Sequence, residues 1–165
     1  MRKPAVVLVL ALVVAMLATT GCAGLIKQGV ENATGVKVEG DKVTMNKDGK
    51  SVEIGGAQTG RLPESFPSDY PMYEPLTITT GVKVVDNGTH FSVTANTTGA
   101  FEDVKNFYDE KLKAAGWDVK TTGTTSAGAS AGSVNGTKGA DKTAVQVVQT
   151  APGQKVQIVL TIDMP

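Results

Sequence analysis

Few side chains in this sequence are equipped for chemistry. His90 is the sole histidine and Cys22 the sole cysteine. His90 stands two residues before Ser92, which on a strand turns both side chains to one face. A serine–histidine pair is conceivable there, but no G-x-S-x-G elbow precedes Ser92, and hairpin neighbours on an exposed strand are ordinarily just solvated. Glu102, Asp103, Asp109 and Glu110 offer two carboxylates for glycoside hydrolysis, yet Lys105 and Lys113 interleave with them as on a solvated helix face. One histidine and one cysteine cannot complete a zinc site. Asn46-Lys47-Asp48-Gly49-Lys50 puts two lysines where a calcium loop needs oxygens. The glycine-rich run at 121–139 lacks the G-x-x-x-x-G-K-[ST] spacing of a phosphate cradle and opens no helix. The sequence assigns no catalytic residue, no metal and no cofactor, and predicts a protein that is not an enzyme.

Charge removes further classes. Sixteen basic side chains balance sixteen acidic ones, which argues against nucleic acid as a partner. Only Arg2 and Lys3 are charged before Cys22, so cleavage there would leave 14 basic against 16 acidic groups, no polybasic grip on anionic lipid. Arg2 and Lys3 are followed by an apolar run from Ala5 to Ala18 and then Thr19-Thr20-Gly21-Cys22. This is a secretory leader, residues 1–21; a transmembrane anchor, the alternative, needs roughly 20 consecutive apolar residues. The placement of Thr20-Gly21-Cys22 resembles the lipobox of bacterial lipoproteins, although Thr19 stands where that family carries Leu, Val or Ile. The resemblance implies diacylglycerol on the Cys22 thiol, and acyl chains contribute about 0.8 kcal/mol per buried methylene to membrane anchoring.

The elements that must position everything else follow from periodicity. Residues 22–35 read as a tether or short helix, with Leu25, Ile26, Val30 and Ala33 on a weak stripe. Residues 36–60 alternate valine and isoleucine between turn residues, predicting a small β-meander too thin to stand alone. Pro63, Pro67, Pro71 and Pro75 make 61–75 an extended connector. Within it Tyr70 and Tyr73 are candidate ligand or partner contacts, or clamps of the connector onto the core. Residues 76–165 form the main domain. A hairpin turns at Asp86-Asn87-Gly88, with Ile78, Thr80, Val82 and Val84 expected on one face of its first strand. Phe101, Val104, Tyr108 and Leu112 predict an amphipathic helix, N-capped at Thr98 or Gly99 and ended by Gly116, with Trp117 folded back on Leu112. Residues 121–139, with Val134 as their one large apolar side chain, predict a mobile loop. A last hairpin turns at Ala151-Pro152-Gly153-Gln154. The expectation is an α+β fold: a mostly antiparallel sheet, β-β-α-β-β-β along the chain, with the helix on one face and the meander in front.

The run Leu62-Pro63-Glu64-Ser65-Phe66-Pro67-Ser68-Asp69-Tyr70-Pro71-Met72-Tyr73, then Val104, Phe107-Tyr108, Leu112 and Gly116-Trp117, resembles small bacterial lipoproteins and secreted proteins of uncharacterised function. That resemblance implies an envelope location and carries over no catalytic residue. The function expected is a lipid-anchored, non-catalytic binding or interaction module on the extracytoplasmic side of a membrane. Its partners would be the bilayer, through Cys22, and an envelope protein or polymer; the alternative is an envelope hydrolase using carboxylates or His90. Replacing Cys22 with Ser should abolish acyl labelling and move the protein from the membrane to the soluble fraction. An unchanged distribution with an uncleaved leader would favour the transmembrane anchor.

Overall fold

The structure, a computed structural model, describes residues 36–39, 42–47, 49–55 and 60–165. The expected leader, Cys22 and the expected tether or short helix lie outside the described residues. Three short strands, β1 (Val36–Glu39), β2 (Lys42–Lys47) and β3 (Lys50–Gly55), precede a long hairpin of β4 (Thr77–Val85) and β5 (Thr89–Thr97). One helix, α1 (Phe101–Ala114), leads to β6 (Asp118–Ser126), β7 (Ala129–Lys138), β8 (Asp141–Gln149) and β9 (Val156–Met164). Among the described residues these strands form one antiparallel sheet of nine, ordered β1-β2-β3-β4-β5-β9-β8-β7-β6. Two meanders thus share a seam between β5 and β9, and α1 carries the chain from the seam to the far edge.

This corrects the expected α+β class: the fold is β-rich, a large antiparallel sheet with a single helix. The meander does not stand in front of the main sheet but extends it, since Ile54 pairs with Val82 and Val52 with Val84. The expected loop at 121–139 is also corrected. Residues 118–126 pair with 129–137 in an unbroken register, and β7 then pairs with β8.

Two features hid that hairpin. Its turn, Ala127-Gly128, has both residues at positive φ, 50° and 83°, the geometry of a type I′ turn that Asn-Gly usually announces. Its inner positions hold glycine where apolar side chains were sought. At Gly132 a Cβ would meet the Thr122 carbonyl at 2.9 Å and Phe101 Cζ at 3.2 Å, and at Gly136 it would meet Trp117 Cε3 at 3.3 Å. The strand backbone itself is the floor on which the helix aromatics rest.

The helix obeys its pattern. Phe101, Val104, Tyr108 and Leu112 are buried against Val134, Val145, Val147, Ile158 and Leu160, each such side chain contributing about 1.5–3 kcal/mol. Its N-cap is Ala100, without a side-chain bond, rather than Thr98 or Gly99; the Thr97 hydroxyl instead accepts the Gly99 amide. Its end is a Schellman motif: Trp117 N–H donates to Leu112 C=O and Gly116 N–H to Lys113 C=O, both at 3.0 Å, with Gly116 at φ 85°. Trp117 is half-buried on the core.

The proline-rich connector crosses the helix-side face beside α1. Pro63 lies over Gly81, where a Cβ would sit 2.9 Å from its ring, and Phe66 meets Phe91 edge-on at 5.5 Å. A bulge between Ile78 and Thr80 shifts the phase of β4, so Ile78 joins the core while Val82 and Val84 turn to the opposite face, correcting the single apolar face expected for that strand. Gly88 has no positive φ; it is small because a Cβ there would meet the Met164 carbonyl at 2.6 Å.

Ala127→Asn should raise stability by about 0.5–1 kcal/mol in urea denaturation, because Asn tolerates the left-handed position better than Ala. Gly132→Ala should lower it by about 1–3 kcal/mol through overpacking. Neutral effects at both positions would mean that the hairpin does not carry the helix.

Candidate functional site

Antiparallel register decides which side chains share a face. On the side of the sheet away from α1, one row across β6, β7, β8, β9 and β5 reads Asp118, Thr137, Lys142, Asp163, His90. The next reads Lys120, Asn135, Ala144, Thr161, Ser92, and a third reads Thr122, Ser133, Gln146, Val159, Thr94. The helix covers the other side of this half of the sheet, and no described element packs on these rows. Where the small Ala144 leaves room, the surface dips into an open depression of about 370 Å³ lined by Asp118, Lys120, Asn135, Lys142 and Asp163. Charges of both signs, an amide and hydroxyls line it.

His90 sits at the margin of this surface. Its Nδ1 is 2.8 Å from Asp163 Oδ1 and its Nε2 is 3.2 Å from Asp86 Oδ1, while Lys50 Nζ stands 3.8 Å from the other Asp86 oxygen. The hydrogen bond to Asp163, and then that to Asp86, raise the imidazole's pKa above its ordinary value. Asp86 is lowered by the Asn87 amide, which donates to it at 2.6 Å, and then by His90. Ionised carboxylates on both ring nitrogens favour the imidazolium form, in which both donate, the opposite of what a general base beside Ser92 requires.

The helix carboxylates are not brought to His90. Glu102 pairs with Lys105, while Asp109 accepts from Lys113 at 2.7 Å and from the Thr121 hydroxyl at 2.6 Å; those two bonds hold Asp109 below the usual carboxylate range.

Tyr70 and Tyr73 both lie on the helix side. Tyr70 is buried, 2.6 Å from Thr143 Oγ1. The Thr143 hydroxyl donates its one proton to the Thr161 carbonyl at 2.8 Å, so Tyr70 is the donor in its own bond. Burial pushes its pKa far up. Tyr73 is half-buried, edge-on to Phe107 at 5.3 Å, and its ring fills the space a Cβ on Gly99 would need. Tyr108, under both, is raised to about 12 by burial. All eight aromatic residues of the chain belong to this one cluster. Among the described residues no three His, Cys, Asp or Glu side chains are grouped to hold a metal ion. Lys120, Asn135, Lys142 and Asp163 escaped sequence reasoning: alternation marks them as outward, but only the strand order makes them neighbours.

Residues 78–157 match a family model described as START domain-like. The match runs from β4 to the first residues of β9, just under half of the chain, and includes α1 and most of both polar and buried faces described above. No curated protein and no solved structure shows significant similarity to the chain.

The His90 cluster has a definite pH signature. A histidine raised on folding stabilises below its ordinary value of about 6.5, and that contribution is lost as pH rises through the raised value. A lowered Asp86 stabilises above about 3.9, a contribution lost as pH falls through the lowered value. Wild type should therefore exceed His90→Gln in stability below about pH 6.5, and the difference should shrink as pH rises through the raised value. Urea midpoints read from Trp117 fluorescence check this; a difference independent of pH would mean that the imidazole is neutral in the fold.

Proposed function

We propose that the protein is a non-catalytic binding module, held on the extracytoplasmic side of a bacterial membrane by diacylglycerol on Cys22, that takes a hydrophilic envelope ligand on its open polar face. The single observation behind this is the pair of polar rows around the depression of β6–β9, on the face that α1 leaves uncovered. The similarity to a START domain-like family supports a ligand-binding role. Two further points favour binding over hydrolysis: His90 is clasped by two carboxylates, and Glu102 and Asp109 are paired with lysines. On the helix side, the ring of Phe101, Tyr108, Tyr70 and Trp117 fills the space between helix and sheet with side chains, which directs a ligand to the open face. The envelope location rests on the leader and on the placement of Cys22.

The test is site-specific photo-crosslinking in intact envelopes. A photoreactive residue at Asn135 should give a discrete adduct that one at Glu102, on the outer side of α1, does not. Lys142→Glu should reduce the Asn135 adduct about tenfold, as reversal of a ligand-facing charge does, while His90→Ala leaves activity in a deletion-complementation assay intact. Equal labelling at Asn135 and Glu102 would remove the polar face as the site; loss of complementation in a folded His90→Ala protein would restore the hydrolase alternative.

A further inference from the structure

The sheet ends on two unlike edges, β1 and β6. β1 is four residues long and carries Lys37 and Glu39, the short charged strand by which sheets keep other strands away. β6 runs for nine residues in unbroken register with β7, and residues 121–126 hold no charge, no proline and no bulge. They are exposed throughout, including Thr121, Gly123 and Thr125 on the helix side. The two-residue turn at Ala127-Gly128 fixes which main-chain groups point outward. It makes Ser126 and Ala129 the hydrogen-bonded closing pair. Bonded and non-bonded pairs alternate from there, so Val119, Thr121, Gly123 and Thr125 direct N–H and C=O away from β7. Among the described residues none of these groups has a main-chain partner.

We propose that this edge pairs with the same edge of a second copy of the chain, β6 antiparallel to β6 about a twofold axis at Thr122. A row of outward main-chain donors and acceptors is answered by another strand, and this register matches all nine residues of both strands. In it Val119 faces Thr125 of the second copy and Thr121 faces Gly123, each with its free main-chain groups turned to the junction. Asp118 meets Ser126 and Lys120 meets Thr124, so no like charges stand directly opposite. The helix layer supplies the complementarity that selects a copy over an unrelated strand. Lys105 lies over Gly123, where a Cβ would be 3.4 Å from its Nζ, and Asp109 accepts from the Thr121 hydroxyl at 2.6 Å. Because Gly123 of each copy stands opposite Thr121 of the other, each Lys105 comes beside the other copy's Asp109, in a square of alternating sign. The same contacts show that α1 runs antiparallel to β6. The two helices are therefore antiparallel too, and Glu102 and Asp103 in the first turn of one face the last turn, with Lys111 and Lys113, of the other. The space suffices. α1 lies across β6, β7 and β8, so about three strand spacings, ~14 Å, separate it from its counterpart, against about 8–10 Å for helices in direct contact. Lysine and carboxylate side chains span the difference. Edge pairing covers neither open face, so both depressions stay accessible and association does not depend on the ligand.

The test uses full-length chains in which single cysteines report the register under a mild oxidant. Thr122→Cys lies on the axis, in a pair with Cα atoms about 4.5 Å apart, within the span a disulfide bridges, and should give a covalent dimer. Thr124→Cys alone should not, since it stands opposite Lys120 of the second copy; mixed with Lys120→Cys it should. Cys22 is common to all three variants and controls for itself. With differently tagged chains, Thr122→Lys should reduce co-purification about threefold to fivefold, because like charges then meet on the axis. Thr122→Lys mixed with Thr122→Glu should restore it, with Trp117 fluorescence confirming the fold of each. Lys105→Glu should weaken association as well, whereas Lys142→Glu, which tests the polar face, should leave the Thr122→Cys dimer unchanged. Equal dimer from Thr122→Cys and Thr124→Cys alone, tags that separate in the unmodified protein, or a Thr122→Cys chain that links only to a different protein would overturn the proposal.

Discussion

The pairing of β5 with β9 is the contact on which the rest of the structure depends. Nine residues of each strand match without a break, from Thr89 with Met164 to Thr97 with Val156. The core runs through this seam, where Phe91 stands beside Ile162, Val93 beside Leu160 and Ala95 beside Ile158, all almost wholly buried. Without it the chain is two meanders, each with a bare edge, and only the β6–β9 meander carries the helix as a second layer. The seam also forces the helix. A chain leaving β5 for the far edge at β6 must cross the three strands that will later fill the gap, and α1 makes that crossing over β6, β7 and β8.

Local patterns in the sequence specify several elements. The alternation of Val156, Ile158, Leu160 and Ile162, the spacing of Phe101, Val104, Tyr108 and Leu112, and the Gly116-Trp117 helix end all match the structure, because each is settled by neighbours within a few residues. The β6–β7 hairpin was missed for a reason of the same kind in reverse. Its turn uses Ala127 where Asn or Gly would have signalled it, and its inner face packs backbone, so composition suggested no core. The phase of β4 was misread because a bulge carries no residue signature. The polar face was the least legible. His90 and Asp163 are 73 residues apart, and only the global strand order brings them to 2.8 Å.

The two faces of the sheet divide the work chemically. The helix side collects every aromatic ring, several in edge-on pairs with centroids 5.3–6.4 Å apart, and completes its buried polar contacts through Tyr70, Thr143 and the Thr161 carbonyl. That side is rigid and self-satisfied, as close-packed interiors are. The other side spends little on internal contacts beyond the His90 cluster. Thr122 and Asn135 bond Ser133, and Thr161 bonds the Ala144 carbonyl, while the remaining capacity of these hydroxyls, the amide and the lysines faces outward from strands backed by the packed layer beneath. Recognition groups on rigid elements of this kind lose little freedom when they bind.

One property of the seam concerns timing. β9 is the last of the described strands to leave the ribosome, yet it lies in the middle of the sheet, with β5 on one side and β8 on the other. Until it arrives, the valines of β8 and the Phe91 edge of β5 have nothing to pair with, and the long-range contacts that define the fold cannot form. Such topology postpones the complete sheet until β9 has emerged. Before β9 inserts, the two meanders have no strand in common, and the nine-stranded sheet closes only when that strand lies between β5 and β8.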